Sequence, residues 1–250
     1  RPASLKREPV RVASLGRPLS FGPAGGGPCR AAVIWLHGFA EGPRAWADIL
    51  RPARDDCPHW TWVHLAAPRV PITCYGGTPM PAWGDFVDAG VIRVGSADHE
   101  STDPQGYYAA TVAAVHQCID ALRRDDAVPS QRIAIGGFSQ GAASAAECAL
   151  SYHQPLAGCM LLSGWLSPSA RSALAYSENR RMEWLVCHGT ADELVAVSCG
   201  ELAVRALRDA GAGVQCEFFE GVGHTESKCG GQARGQRITD FLQRAFKLRI

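Results

Sequence analysis

Four stretches of the chain are nearly unbroken apolar runs that stop at a glycine: AAVIWLHG (31–38), RIAIGG (132–137), LAGCMLLSG (156–164) and EWLVCHG (183–189). A strand with one wet face alternates apolar and polar residues. A run that is apolar at every position suits a strand covered on both faces, the usual state in a parallel sheet. WTWVHLAAP (60–68), ended by a proline, and VQCEFFEG (214–221) fit two further strands. Between them lie segments of helical period. Tyr108, Val112, Val115, Ile119 and Leu122 step by three and four, which defines a helix with one buried face. Helices are also expected around Trp46, over AASAAECAL after Ser139, from Ser198 to Ala210 and from Gln232 to Phe246. Strands alternating with helices predict an α/β fold, a mostly parallel central sheet with helices on both faces.

A length of 250 residues suits one such domain. Residues 1–28 are polar and rich in glycine and proline. They read as an N-terminal extension with a short hairpin over Pro9–Ser14 and Pro18–Phe21, and 29–250 as the domain itself. Residues 69–100 show no period and read as a long irregular loop containing Trp83 and Phe86. Long loops are uncommon in compact domains, so this one is expected to be functional.

GGFSQG (136–141) lies where one predicted strand turns into a helix. Gly137-Phe138-Ser139-Gln140-Gly141 fits G-x-S-x-G, a turn that exposes a serine hydroxyl by letting strand and helix backbones approach closely. A serine that merely caps a helix is the bland alternative. A serine hydroxyl needs a base, and the base an orienting group. His224, in GVGHTES, follows the last strand; Asp192, in HGTADELV, follows the strand before it. Ser139, Asp192 and His224 therefore all follow strand ends, on the edge where open α/β sheets build their sites. His153 reads as a surface residue, His188 and His37 as structural ones. Oxyanion donors are expected from the backbone N–H groups of Gln140 and Phe39.

A net charge of +1 offers no field to recruit nucleic acid. No apolar run reaches transmembrane length, and no signal peptide is visible at Arg1. The ten cysteines are scattered without a C-x-x-C pair, which predicts buried free thiols rather than a zinc site. The expected location is cytoplasmic, without stable membrane insertion.

The blocks LHGFAEGPRAW, APRVPITCYGGTPMPAWGDF, VPSQRIAIGGFSQGAA, LSGWL, CHGTADELV and EGVGHTE occur in that order. Together they resemble the acyl-protein thioesterase and carboxylesterase branch of the serine α/β-hydrolases, over most of the chain from about Val33. The resemblance implies Ser139 as nucleophile, Asp192 as orienting acid and His224 as base, with Phe39 and Gln140 at the oxyanion positions. It also implies substrate contacts from Trp83 and Leu194, and no metal or other cofactor. Phe39-Ala40-Glu41 stands where the family has L-G-D, so the bulkier Phe39 is expected to narrow the pocket. The implied activity is thioester hydrolysis, with depalmitoylation of S-acylated proteins first and small acyl (thio)esters beside it. A broader carboxylesterase or lysophospholipase with the same triad, and a hydrolase-like protein that only binds, are the alternatives. The oligomeric state is left open.

Overall fold

The computed structural model describes residues 15–23, 28–225 and 231–247. Its strands are β1 (Gly16–Phe21), β2 (Ala31–Leu36), β3 (Trp60–Ala66), β4 (Arg69–Ile72), β5 (Thr78–Pro81), β6 (Ile133–Phe138), β7 (Gly158–Leu162), β8 (Glu183–Gly189) and β9 (Gly213–Phe219). Seven of them form one sheet in the order β1-β3-β2-β6-β7-β8-β9. All neighbours in it are parallel except β1, which runs antiparallel to β3. The apolar runs occupy its centre: β2, β6 and β7 are buried at every position. VQCEFFEG, which carries Gln215 and Glu217, forms the half-buried edge strand β9.

Alternate residues of each central strand serve opposite faces. Ile34 and Leu36 of β2 pack with α2 (Tyr107–Asp125), α3 (Gln140–Ser151) and α5 (Val197–Asp209). Val33 and Trp35 pack with α6 (Gly231–Lys247), through Phe241 and Leu242, and with α1 (Arg51–Asp56), through Ala53. Each fully buried aliphatic or aromatic side chain contributes about 1.5–3 kcal/mol, so the helices are held chiefly by these two apolar layers. A short α4 (Pro168–Ala173) is capped by Ser167, whose Oγ accepts the Ala170 N–H at 3.1 Å.

Three expectations need correction. The helix expected around Trp46 is a series of turns, and helix begins only at Arg51. Pro52 lies in its first turn. Proline lacks an N–H and its ring collides with the carbonyl four residues earlier, so it starts a helix and cannot sit inside one. Trp46 instead enters the core beside Trp35, ring centroids 4.9 Å apart. Secondly, the loop 69–100 contains an antiparallel hairpin of β4 and β5, turned through Gly76 and Gly77 at positive φ. Thirdly, Pro18–Phe21 is a strand, but β1 pairs with β3 of the main sheet, so the sheet reaches back to Gly16 rather than starting after residue 28. The other half of the expected N-terminal hairpin, Pro9–Ser14, lies outside the described residues.

The strand order sets β2 beside β6, with the chain leaving β2 toward β3 and leaving β6 toward β7. The connections therefore diverge at the carboxyl ends of β2 and β6. That divergence opens a crevice, the usual ligand site of such sheets.

Candidate active site

Ser139 stands at this crevice, between the last residue of β6 and the first of α3, at φ 56° and ψ −124°. Such a conformation costs a residue with a side chain about 1–3 kcal/mol. It is fixed from both sides: the Ser139 N–H donates to Leu162 O at 2.9 Å, and its carbonyl accepts from Ala142 at 3.0 Å and Ala143 at 3.2 Å. Glycine is required on either side. A Cβ on Gly137 would lie 2.4 Å from the Gly141 carbonyl, and one on Gly141 would lie 2.3 Å from the oxygens of Leu36 and His37. Because those are backbone atoms, Gly141→Ala should cost about 3 kcal/mol or more. Urea unfolding reads that loss; an unchanged midpoint would mean that the elbow yields to a methyl group.

Asp192 follows β8 and its side chain is fully enclosed. Its Oδ1 accepts the N–H groups of Leu194 (3.0 Å) and Val195 (2.8 Å), and the His224 Nδ1 lies 2.8 Å from Oδ2 and 3.0 Å from Oδ1. Burial opposes ionisation of this carboxyl. The N–H of His188 facing it, the bonds from His224 and Val195 and the charge of His224 outweigh burial, holding it well below the usual carboxylate range. The carboxylate accepts, so His224 carries its proton on Nδ1 and leaves Nε2 as the acceptor. The His224 ring rests on Phe138, next to Ser139, with centroids 4.7 Å apart. Serine–base hydrogen bonds in such sites commonly tighten only when substrate arrives. Glu193, Asp192's neighbour, accepts the backbone N–H of His224 at 2.9 Å and so holds the His224 loop.

Gln140 is the first residue of α3, so its N–H has no acceptor within the helix and the positive end of the helix dipole lies beside Ser139. Phe39 follows β2 on the opposite side of the crevice. A hydrogen-bonded network braces these two positions. The Gln140 side chain accepts the Trp83 N–H (3.0 Å) and donates to Gly84 O (2.9 Å). The Trp83 indole donates to His37 O at 2.6 Å. His37 Nε2 accepts the Ala67 N–H (3.1 Å), so its Nδ1 donates to Gly38 O (2.7 Å). His37 is structural, as the sequence implied. Trp83 is not a wall of the groove: it is completely buried and acts on the site through the backbone it holds. The side-chain role of Gln140 had no signal in the motif, because it depends on where the loop around Trp83 folds back.

A groove of about 120 Å³ opens at Ser139, walled by Phe39, Tyr75, Phe86, Ile92, Leu194 and Val195. Phe39 stacks on Tyr75 (6.0 Å between centroids) and meets the edge of Phe86 (5.0 Å). Leu194 is 53% exposed and stands at the groove's rim. Asp98, which the motifs did not reveal, accepts the N–H groups of Val87 (2.8 Å) and Asp88 (3.2 Å) and so anchors the rim.

Sheet, elbow and crevice define an α/β-hydrolase. The phospholipase/carboxylesterase family model matches residues 23–243, and the chain belongs to that family. It is 32% identical over 203 residues to carboxylesterase SOBER1 of Arabidopsis thaliana, covering 79% of this chain and 85% of that one. The crystal structure of SOBER1 superposes with a TM-score of 0.75 at 27% identity, over 87% of this chain and 99% of that chain. Acyl-protein thioesterase 1 homolog 1 of Dictyostelium discoideum is 30% identical over 199 residues, 79% of this chain and 84% of its own. A probable inactive carboxylesterase of Oryza sativa is 31% identical over 201 residues, 77% of each chain. Membership alone therefore does not decide activity.

Proposed function

We propose that this chain hydrolyses acyl thioesters and esters through a covalent acyl-enzyme on Ser139. The observation that carries the reading is the buried Asp192–His224 pair, two contacts of 2.8 and 3.0 Å, set against the residue beside a strained serine. His224 Nε2 takes the hydroxyl proton as Ser139 Oγ attacks the acyl carbonyl. The oxyanion is received by the N–H groups of Phe39 and Gln140, each worth roughly 2.7–4 kcal/mol by comparison with measured oxyanion donors. The intermediate collapses, the carbon–sulfur or carbon–oxygen bond breaks, and the imidazolium returns its proton to the leaving thiol or alcohol. Water then attacks the acyl-enzyme by the same route and regenerates the serine. Asp192 keeps the imidazole in the required tautomer and stabilises it while charged.

The acyl group occupies the groove beside Leu194. The hollow at Ser139 is small, about 120 Å³, and open on one side, so a long chain must continue along the surface beyond it. Tyr75, Val87 and Leu194, all exposed, supply an apolar path for the remainder, each buried methylene contributing about 0.8 kcal/mol. The proposed substrate is a long-chain S-acyl group such as palmitoyl-cysteine on a protein, which agrees with the thioesterase name of one relative. The nine free cysteines among the described residues suit a reducing cytoplasm.

The small hollow favours a second reading, a short-acyl carboxylesterase. S-acyl peptides from acetyl to palmitoyl separate the two. Thioesterase action on long chains requires kcat/KM to rise through butyryl and to hold to palmitoyl; a profile that peaks at butyryl and collapses beyond it gives the esterase. In either case Phe39→Leu, which removes a ring from the groove wall, should shift the profile toward longer chains. An unmoved profile would remove Phe39 from the specificity wall.

A further inference from the structure

We infer that His188 is a positioning residue of this reaction: a neutral imidazole whose Nε2–H clamps the Asp192–Val195 loop and faces the same carboxylate that His224 uses. The inference rests on the Ser139–His224–Asp192 reading. His188 ends in the core at the tip of β8, with no exposed surface. Its Nε2 lies 2.8 Å from Val195 O and 3.4 Å from Asp192 Oδ2. A carbonyl only accepts, so Nε2 carries the hydrogen. The Val195 bond is the short one, and the carboxylate feels the same N–H dipole at longer range.

The other ring nitrogen fixes the charge state. His188 Nδ1 is buried without a hydrogen-bond partner among the described residues, and it faces Gly200, where a Cβ would lie only 2.6 Å away. A second proton on Nδ1 would be a buried donor without an acceptor, so the ring is held neutral. Asp192 thus sits between two imidazoles with different tasks. His224 presents Nδ1–H and keeps Nε2 for the serine; His188 presents Nε2–H and stays neutral.

This clamp joins two parts of the site. Asp192 Oδ1 draws in the N–H groups of Leu194 and Val195, His188 holds the Val195 carbonyl, and Leu194 O accepts the Ile92 N–H at 2.9 Å. The orienting acid and the groove wall at Leu194 are therefore one bonded unit. The His188 N–H dipole also offsets part of the negative potential that Asp192 exerts on His224. Without it the Asp192 carboxylate acts on the charged imidazole undiminished, and the acid limb of kcat/KM is expected at higher pH. Among the described residues, the other titratable groups around the pair are Glu193, bonded to the His224 N–H, and Cys199 of α5, whose thiol burial and Asp192 push up to about 11. Arg171 of α4 acts on Cys199 from farther out. All three stay constant in the variants below.

The test uses the full chain with p-nitrophenyl butyrate, comparing His188→Phe and His188→Gln, whose amide N–H can reach Val195 O. Active sites are counted by fluorophosphonate labelling. His188→Phe should lower kcat per labelled site by about tenfold or more, the scale on which lost supporting shells act. It should also move the acid limb up by about half a pH unit, and His188→Gln should recover most of both. Should His188→Phe not fold, His188→Asn, whose shorter amide does not reach Val195 O, takes its place. An unmoved acid limb and unchanged kcat per labelled site, with only stability reduced, overturns the inference and leaves the triad standing. Failure of the wild type to label at Ser139 instead overturns the catalytic reading, and this inference with it.

Discussion

Ser139→Ala is expected to eliminate the acyl-enzyme and to lower kcat by about 10⁶-fold, the scale seen when a protease of this chemistry loses its serine. The fold should survive. Alanine bears the same Cβ at φ 56°, so it inherits the strain of the turn without adding to it. The serine side chain makes no cap hydrogen bond to α3, so no helix cap is lost. Stability should therefore change by no more than about 0.5 kcal/mol. Intact mass after fluorophosphonate treatment reads the result directly: one adduct on the wild type and none on the variant. Turnover retained by Ser139→Ala would place the nucleophile elsewhere. An unlabelled wild type would return the chain to the ligand-binding reading, as for the relative named a probable inactive carboxylesterase.

The parts legible in the sequence are those whose cause is local. Burial on both faces writes itself as an unbroken apolar run, so β2, β6, β7 and β8 could be read directly. The elbow was legible because two backbone contacts permit only glycine at 137 and 141. The β4–β5 hairpin was not, because Pro71, Pro79 and Pro81 speak against a strand. Pro71 faces Pro79, and Arg69 faces Pro81. Facing pairs in an antiparallel ladder alternate between bonded and non-bonded kinds, and two prolines cannot exchange N–H bonds. All three prolines thus fall in pairs of one kind, leaving the ladder to Val70–Met80 and Ile72–Thr78. A one-dimensional pattern does not reveal that register.

Trp83 shows the same limit from the other side. Its block marked the right loop, but an indole in a motif is equally suited to line a groove or to brace one. Only the bond to His37 O decides for bracing. His188 likewise reads as a packed residue until the Asp192–Val195 loop folds back onto it. Candidate site residues at the strand ends are visible as motif and order. Those that act through another backbone become visible only when the loops close.

The acid that closes those loops carries the other large effect. Asp192→Asn should reduce kcat by about 10⁴-fold, the scale of the same change in a well-studied triad. The loop dictates which way the amide points. The N–H groups of Leu194 and Val195 both need the acceptor at the Oδ1 position, so the amide oxygen must go there and the NH₂ must take the place of Oδ2. That NH₂ would face His224 Nδ1, which would have to become an acceptor and shift its proton to Nε2, where the serine's proton is to be received. It would also face the Nε2–H of His188, donor against donor. The pH dependence has a fixed sign. The native carboxyl titrates below its unfolded value of about 3.9, so it adds stability above that pH and loses it as pH falls through the native value. Urea midpoints should therefore show the wild type ahead of Asp192→Asn near neutrality, with the gap narrowing as pH drops below about 4. A variant within tenfold of wild-type kcat would mean that another group orients the base. Glu193 is engaged with the His224 backbone rather than the ring, so among the described residues it offers no substitute and the loss should be close to full.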